Sequence, residues 1–423
     1  MSPELISILV LAVVFVIATT RSVNMGALAF AAAFGVGELV ADLDADGIFA
    51  GFPGDLFVVL VGVTYLFAIA RANGTTDWLV HASIRLVRGR VALIPWVMFF
   101  LTGALTAIGA VSPAAVAIVA PIALSFASRY GISPLLMGAM VVHGAQGGGF
   151  SPISIYGTIV NGIVEREDLP GNELFLFLTS LIANLVIAGV VFVLFGGLKL
   201  TSPPASPAAA TTGPDPDPDP EPDTRLTPAV TATLTSLAAL VIAVLAFDLD
   251  AGLTAVTLAA LLSALWPDDS RKAVTQIAWS TVLLICGVLT YVGVLDEMGT
   301  ITWAGEGVSD IGVPLLAAVL LCYIGAIVSA FASSVGIMGA LIPLAVPFLA
   351  QGEIGAVGMI AALAVSATVV DVSPFSTNGA LVLAAAPDVD RERFFRQLMI
   401  YGAIVVAVVP AVVWLVLVVP GFG

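Results

Sequence analysis

Three Ser-Pro pairs, Ser112-Pro113, Ser151-Pro152 and Ser373-Pro374, interrupt apolar stretches of this 423-residue chain. Serine is a preferred helix N-cap and proline is preferred at the first helical position. Each pair therefore predicts a helix that starts again inside an apolar segment. A new helix start exposes unpaired N–H groups and about half a positive charge. Several such starts facing one another would bind an anion without any arginine. Ser334 sits at a fourth break, Ser333-Ser334-Val335-Gly336, and Asn378 follows the last Ser-Pro pair. Ser112, Pro113, Ser151, Pro152, Ser334, Ser373, Pro374 and Asn378 are the expected anion-binding residues. A lone Ser-Pro reads as a simple kink. Three beside glycine-rich or polar breaks read as a site.

A second set could hold a small cation or proton. Asp371 is the one acid deep within an apolar segment, and intramembrane acids are costly and usually functional. His143 and Gln146 precede the Gly147-Gly148-Gly149 run. The hydroxyls of Ser154, Ser333, Ser376 and Thr377 flank the breaks, whose freed carbonyls can coordinate a cation. These seven residues are the expected ion-coupling set. A single histidine is otherwise a packed, neutral side chain. No His, Asp, Glu or Cys cluster has metal or acid–base spacing, which argues against an enzyme. No G-x-x-x-x-G-K-[ST] motif is present, so ATP drive by this chain is not expected. No cofactor is implied beyond Na⁺ as a coupling ion.

The elements that carry these residues follow from composition. Sixty per cent of the residues are hydrophobic and 10% are charged, against roughly 25% charged in soluble proteins. Apolar runs recur from end to end, each long enough to cross or enter a hydrocarbon core of about 30 Å. Residues 5–20 read as a retained transmembrane helix, since no basic n-region precedes them and no cleavage site follows. Cys286 and Cys322 lie in apolar runs and read as packing residues. The net charge of −15 owes much to Asp215, Asp217, Asp219, Glu221 and Asp223, and it argues against nucleic acid as a partner. The Ala/Val/Leu-rich, lysine-poor composition suggests a prokaryotic plasma (inner) membrane.

The chain repeats itself. Gly62, Gly74, Thr75 and Trp78 recur as Gly287, Gly299, Thr300 and Trp303, an offset of 225. Ser112, Pro121 and Ser151-Pro152-Ile153-Ser154 recur as Ser334, Pro343 and Ser373-Pro374-Phe375-Ser376, an offset of 222. Ser, Pro, Gly and Trp held at constant spacing are the signature of an internal repeat. The expected organisation is a first repeat over 1–198, a Pro/Asp-rich cytoplasmic linker over 199–226 and a second repeat over 227–423. Residues 75–89 read as an interfacial helix.

With 91–128 and 313–350 as re-entrant hairpins, each half crosses five times. The odd count inverts the second half. Thirteen of the 14 basic residues then share one face, with Arg166 alone opposite, as expected of a cytoplasmic face. Making 91–110 and 313–332 full crossings splits the basic residues nine to five. The fold expected is therefore an all-α integral membrane protein of two inverted repeats. Each repeat has five transmembrane helices, one re-entrant hairpin and one interrupted helix. Paired broken segments in inverted halves point to a transporter site.

The first 200 residues resemble the malonate/dicarboxylate carrier family, and the two-hairpin plan resembles the divalent anion/sodium symporters. The resemblance rests on the hairpin tips, the Ser-Pro breaks and Ser373-Pro374-Phe375-Ser376-Thr377-Asn378-Gly379. It implies a secondary carrier of a C3–C4 dicarboxylate, coupled to Na⁺ or H⁺. It also implies a homodimer with a fixed scaffold and a moving substrate domain. The symporters carry Ser-Asn-Thr at each tip; here the tips are Val111-Ser112-Pro113 and Ser333-Ser334-Val335. An inorganic-ion carrier or cation/proton antiporter of the same plan is the alternative.

Overall fold

The computed structural model describes residues 2–21, 23–85, 90–200, 226–247, 249–301, 303, 314–330, 334–350, 352, 354–386 and 389–422. Ser333 and residues 201–225 of the linker lie outside the described residues, as does residue 313 of the second hairpin. Among the described residues the chain is all-α, without strands.

The first half runs through α1 (Pro3–Thr20), α2 (Met25–Leu39), α3 (Ala45–Ala50), α4 (Gly54–Ala72) and α5 (Thr75–Arg85). It continues with α6 (Ile94–Ala107), α7 (Ser112–Tyr130), α8 (Pro134–Gly148), α9 (Ile155–Arg166) and α10 (Glu173–Leu194). The second half holds α11 (Pro228–Phe247), α12 (Ala251–Leu265), α13 (Pro267–Thr275), α14 (Trp279–Glu297) and α15 (Pro314–Ser329). It ends with α16 (Ser334–Ala350), α17 (Ala356–Val369), α18 (Thr377–Ala385) and α19 (Arg391–Val413).

Six stretches are long and apolar enough to cross a membrane: 54–72, 112–130, 173–194, 279–297, 356–385 and 391–418. The expected crossings at α1, α2, α11 and α12 are shorter apolar helices. α2 and α12, at 15 residues each, span only about 22 Å at 1.5 Å per residue. Lipid-facing stripes are plain on the long helices. Leu174, Leu178, Ile182, Val186 and Val190 repeat every four residues along α10 and are all exposed, as a helix bathed in hydrocarbon requires.

Two helix groups emerge from the packing. α1–α5 pack with α11–α14, and α6–α10 pack with α15–α19, with α14 against α16 and α4 against α9 among the joints between them. The first group is interlocked across the halves by glycines at the repeat offset. A Cβ on Gly62 of α4 would lie 2.6 Å from the Gly252 carbonyl oxygen of α12. A Cβ on Gly287 of α14 would lie 2.0 Å from that of Gly26 in α2. Such close backbone approach is how membrane helices gain contact where lipid removes the hydrophobic drive between them. Side-chain hydrogen bonds also join the halves in this group: Ser7 Oγ with Thr300 Oγ1 at 3.0 Å, and Asn73 Nδ2 donating to Thr233 Oγ1 at 2.7 Å.

Arg166, the basic residue that departs from the charge rule, ends α9 and reaches Asp55 of α4 at 3.0 Å and the Gly51 carbonyl at 3.3 Å. It thus ties the two helix groups at one end. Burial pushes the neighbouring Glu167 carboxyl up from its ordinary value, Asp296 adds to this, and Arg166 opposes it. Ionising Glu167 as pH rises therefore works against the packing of this corner.

Candidate functional site

The helix restarts occur, but not at the expected serines. Val111 takes the cap position of α7 in an extended conformation, and Ser112 is already helical. That leaves the Ser112 hydroxyl free of capping. In the interrupted helices the caps are Ser154 and Ser376, three residues beyond Ser151 and Ser373. The Ser-Pro pairs form the turn before each cap. Each cap hydroxyl accepts from an N–H three residues on, Gly157 at 3.2 Å and Gly379 at 3.4 Å. Each also donates backwards. Ser154 bonds the Gly149 and Ser151 carbonyls, and Ser376 bonds those of Asp371 (2.5 Å) and Ser373 (2.7 Å). The glycines make this turn possible. A Cβ at Gly157 would lie 2.0 Å from the Ser151 carbonyl oxygen, and one at Gly379 would lie 1.9 Å from that of Ser373. The signal for the cap was therefore Ser-x-x-Gly, not Ser-Pro.

The first turns of four helices meet at Asp371. Gln146 Nε2 donates to Asp371 Oδ2 at 2.8 Å, and Asn378 Nδ2 donates to the same oxygen at 3.2 Å. Asn378 Nδ2 also donates to Ser112 Oγ at 2.7 Å, with Gln146 Nε2 3.4 Å from that oxygen. Ser334 lies near Asp371 and accepts from Ser329 Oγ at 2.8 Å. Tyr156 reaches Ser112 and Gln146. All of these side chains are buried, and Asp371 is 4% exposed. The Gln146 Oε1 and Asn378 Oδ1 oxygens are buried without a partner.

The cluster follows the repeat. Ser112 and Ser334 are 222 positions apart, as are Tyr156 and Asn378. Ser112 and Ser334 open α7 and α16, while Tyr156 and Asn378 lie in the first turns of α9 and α18. Tyr156 was missed by sequence reasoning; its register with Asn378 was the available signal.

Other expected residues fall elsewhere. Ser151 Oγ donates to the Ala107 carbonyl at 2.5 Å, and Ser373 Oγ accepts from the Phe375 N–H at 3.3 Å. Neither is hydrogen-bonded to Asp371, Gln146 or Asn378. Pro113 and Pro152 are half-buried and Pro374 is buried, all within their turns, while Thr377 is exposed. His143, fully buried, is engaged at both ring nitrogens: Nδ1 with Asn184 Oδ1 at 2.9 Å and Nε2 with Tyr401 OH at 2.6 Å. Asn184 Nδ2 donates to the Ser180 carbonyl, so Oδ1 accepts from His143 Nδ1–H, while Nε2 and the Tyr401 hydroxyl share the second bond. The ring ties α8 to α10 and α19. Tyr401→Phe leaves a buried ring nitrogen unpaired. It should lower stability by about 1–3 kcal/mol, read as a fall in the thermal midpoint of the purified protein.

A helical bundle with broken helices meeting at a buried polar centre, and with lipid-facing stripes outside, defines a multi-pass membrane transport protein. Residues 1–149 match the family described as the dicarboxylate carrier protein MatC N-terminus. That stretch includes Ser112 and Gln146. The fold is similar to that of the Alcanivorax borkumensis YdaH transporter, whose crystal structure is described as revealing an unusual topology. The identity is 15%, the TM-score is 0.57, and 88% of this chain and 89% of that one are covered. No curated protein sequence matches the chain.

Proposed function

We propose that this protein is a secondary active transporter of a small organic anion, most consistent with a C3–C4 dicarboxylate, coupled to Na⁺ or H⁺ by alternating access. The observation that carries this is the Asp371 centre. Four helix N-termini surround it, two from each half, and each favours negative charge. Ser112, Ser334, Gln146 and Asn378 add hydroxyls and amides able to hold a carboxylate. The dicarboxylate class rests on the family match over residues 1–149. Alternating access would come from movement of the α6–α10/α15–α19 group against the α1–α5/α11–α14 group, with the hairpins re-entrant and the halves inverted. A homodimer in a prokaryotic plasma membrane completes the proposal.

One observation favours the second reading, an inorganic-ion carrier or antiporter: the only formal charge in the centre is that of Asp371. Uptake into proteoliposomes separates the two. Labelled malonate, succinate or malate should accumulate. Ion movement with no organic anion accepted would overturn the proposal in favour of the second reading. The inverted plan predicts that cysteines placed at 201–224 react with impermeant reagents only from the cytoplasmic side. Labelling from outside intact cells would overturn the five-crossing repeat.

A further inference from the structure

We propose that Asp371 and Gln146 form a proton-operated amide switch, which admits the anion only together with a proton. The inference rests on the transporter reading above and identifies the coupling ion within it.

The geometry carries the argument. Asp371 Oδ2 accepts from both Gln146 Nε2 (2.8 Å) and Asn378 Nδ2 (3.2 Å). A carboxylate draws the N–H ends of both amides towards itself, so the carbonyl ends, Gln146 Oε1 and Asn378 Oδ1, are left buried without a donor. In this state the centre offers bare acceptors and a negative charge. A carboxylate substrate finds no donor among the two amides, and Asp371 already occupies the field of the four helix N-termini.

Protonation reverses the polarity. A hydronium ion from the aqueous side gives up its proton: one of its O–H bonds breaks, water leaves, and an O–H bond forms at Asp371 Oδ2. The new O–H is a donor, and its natural acceptor is the unpartnered Gln146 Oε1 after a half-turn of the amide. That half-turn releases Gln146 Nε2 as a donor. Asn378 stays anchored by its shorter bond to Ser112 Oγ, 2.7 Å. The centre now offers N–H and O–H groups, and the helix N-termini face the substrate instead of Asp371.

With the amides turned this way, the approach to Oδ2 is taken by two NH₂ groups. The groups around Asp371 leave it the only proton acceptor free to switch. α7, α16 and α18 present Ser112, Ser334 and Asn378, α9 presents Tyr156, and α8 presents Gln146. His143, one turn before Gln146 on α8, is closed between Asn184 and Tyr401. Asp371 and His143 are the only buried residues of ordinary acid or base type among the described residues.

The test is proton uptake on binding. Purified protein is titrated with succinate, then malonate, by calorimetry in two buffers of different ionisation heat, with Na⁺ and with Na⁺ replaced by choline. The wild type should take up about one proton per anion bound, as reciprocal linkage requires, and do so without Na⁺. Asp371→Asn should bind with no proton uptake, because its amide already donates to Gln146 Oε1. Gln146→Met should keep the uptake but bind about tenfold or more weakly, having lost a charge-assisted donor. Anion binding that needs Na⁺ and takes up no proton overturns the switch alone. If neither anion binds at any pH, the dicarboxylate reading and the switch fall together. The wild-type measurement decides the matter even if a variant fails to fold.

Discussion

Replacing Gly148 with valine should sharply lower the yield of folded protein. α8 crosses α6 with the two backbones almost in contact. A Cβ on Gly148 would lie 1.9 Å from the Gly103 carbonyl oxygen and 2.4 Å from Thr106 Oγ1. One turn earlier, a Cβ on Gly144 would lie 2.2 Å from the Phe99 carbonyl oxygen. Backbone cannot rotate away as a side chain can, so the helices would have to separate by more than an ångström. α8 has nowhere to go, because every residue from Leu135 to Gly148 is buried. Overpacking a core costs about 1–3 kcal/mol even where neighbours can adjust. Here the valine should remove about 3 kcal/mol or more, out of a total stability of about 5–15 kcal/mol. The measurement is the monodisperse fraction after detergent extraction. Gly189→Ala on α10, where a Cβ meets nothing within 4 Å, should extract like the wild type. Equal yields of a monodisperse Gly148→Val protein would mean that the α6–α8 contact is not as close as described.

Asn378→Asp should reduce anion uptake a hundredfold or more while the protein still folds. The new carboxyl would stand where the amide now donates to Asp371 Oδ2 at 3.2 Å and to Ser112 at 2.7 Å. Two carboxyls at that separation cannot both ionise and would share a proton. Sharing one proton, the pair keeps one negative charge in the centre where a protonated Asp371 alone leaves none, and the amide donor is gone. Losing one charge-assisted hydrogen bond removes about 1.5–3 kcal/mol, and added like-charge repulsion deepens the loss. Asn378→Ser, which supplies a hydroxyl donor and adds no charge, should lose far less. Initial rates of labelled succinate uptake in proteoliposomes, normalised to reconstituted protein, distinguish the two. Equal rates for the aspartate variant would remove Asn378 from the anion path.

The sequence carried the broad plan well, for physical reasons. Apolar runs and charge poverty identify membrane helices almost regardless of tertiary detail, and Ser151-Pro152 and Ser373-Pro374 fall between helical segments as expected. Asp371, Gln146 and Asn378 were legible because a charge or amide in an apolar run needs partners, and the fold supplies them to one another. Ser151 and Ser373 were misplaced because Ser-Pro was read as cap and first turn. Proline can equally sit in the turn ahead of the cap, and only the glycine three residues after Ser154 and Ser376 marks the difference. Tyr156 was invisible as an aromatic in an apolar segment until its register with Asn378 was considered.

The interlocked glycines have a consequence for how the chain is made. Gly62 finds its partner at Gly252, 190 positions further along. At a synthesis rate of about 5–20 residues per second, α4 waits on the order of ten to forty seconds for α12 to be inserted. Meanwhile its glycine groove must be filled by lipid or held by an insertion factor. The N-terminal half released alone would keep that groove open and be a substrate for membrane proteases. Supplied together with a separately translated C-terminal half, it would find the missing helix in the bilayer, since the two crossings join the halves through side-to-side contact and need no covalent link.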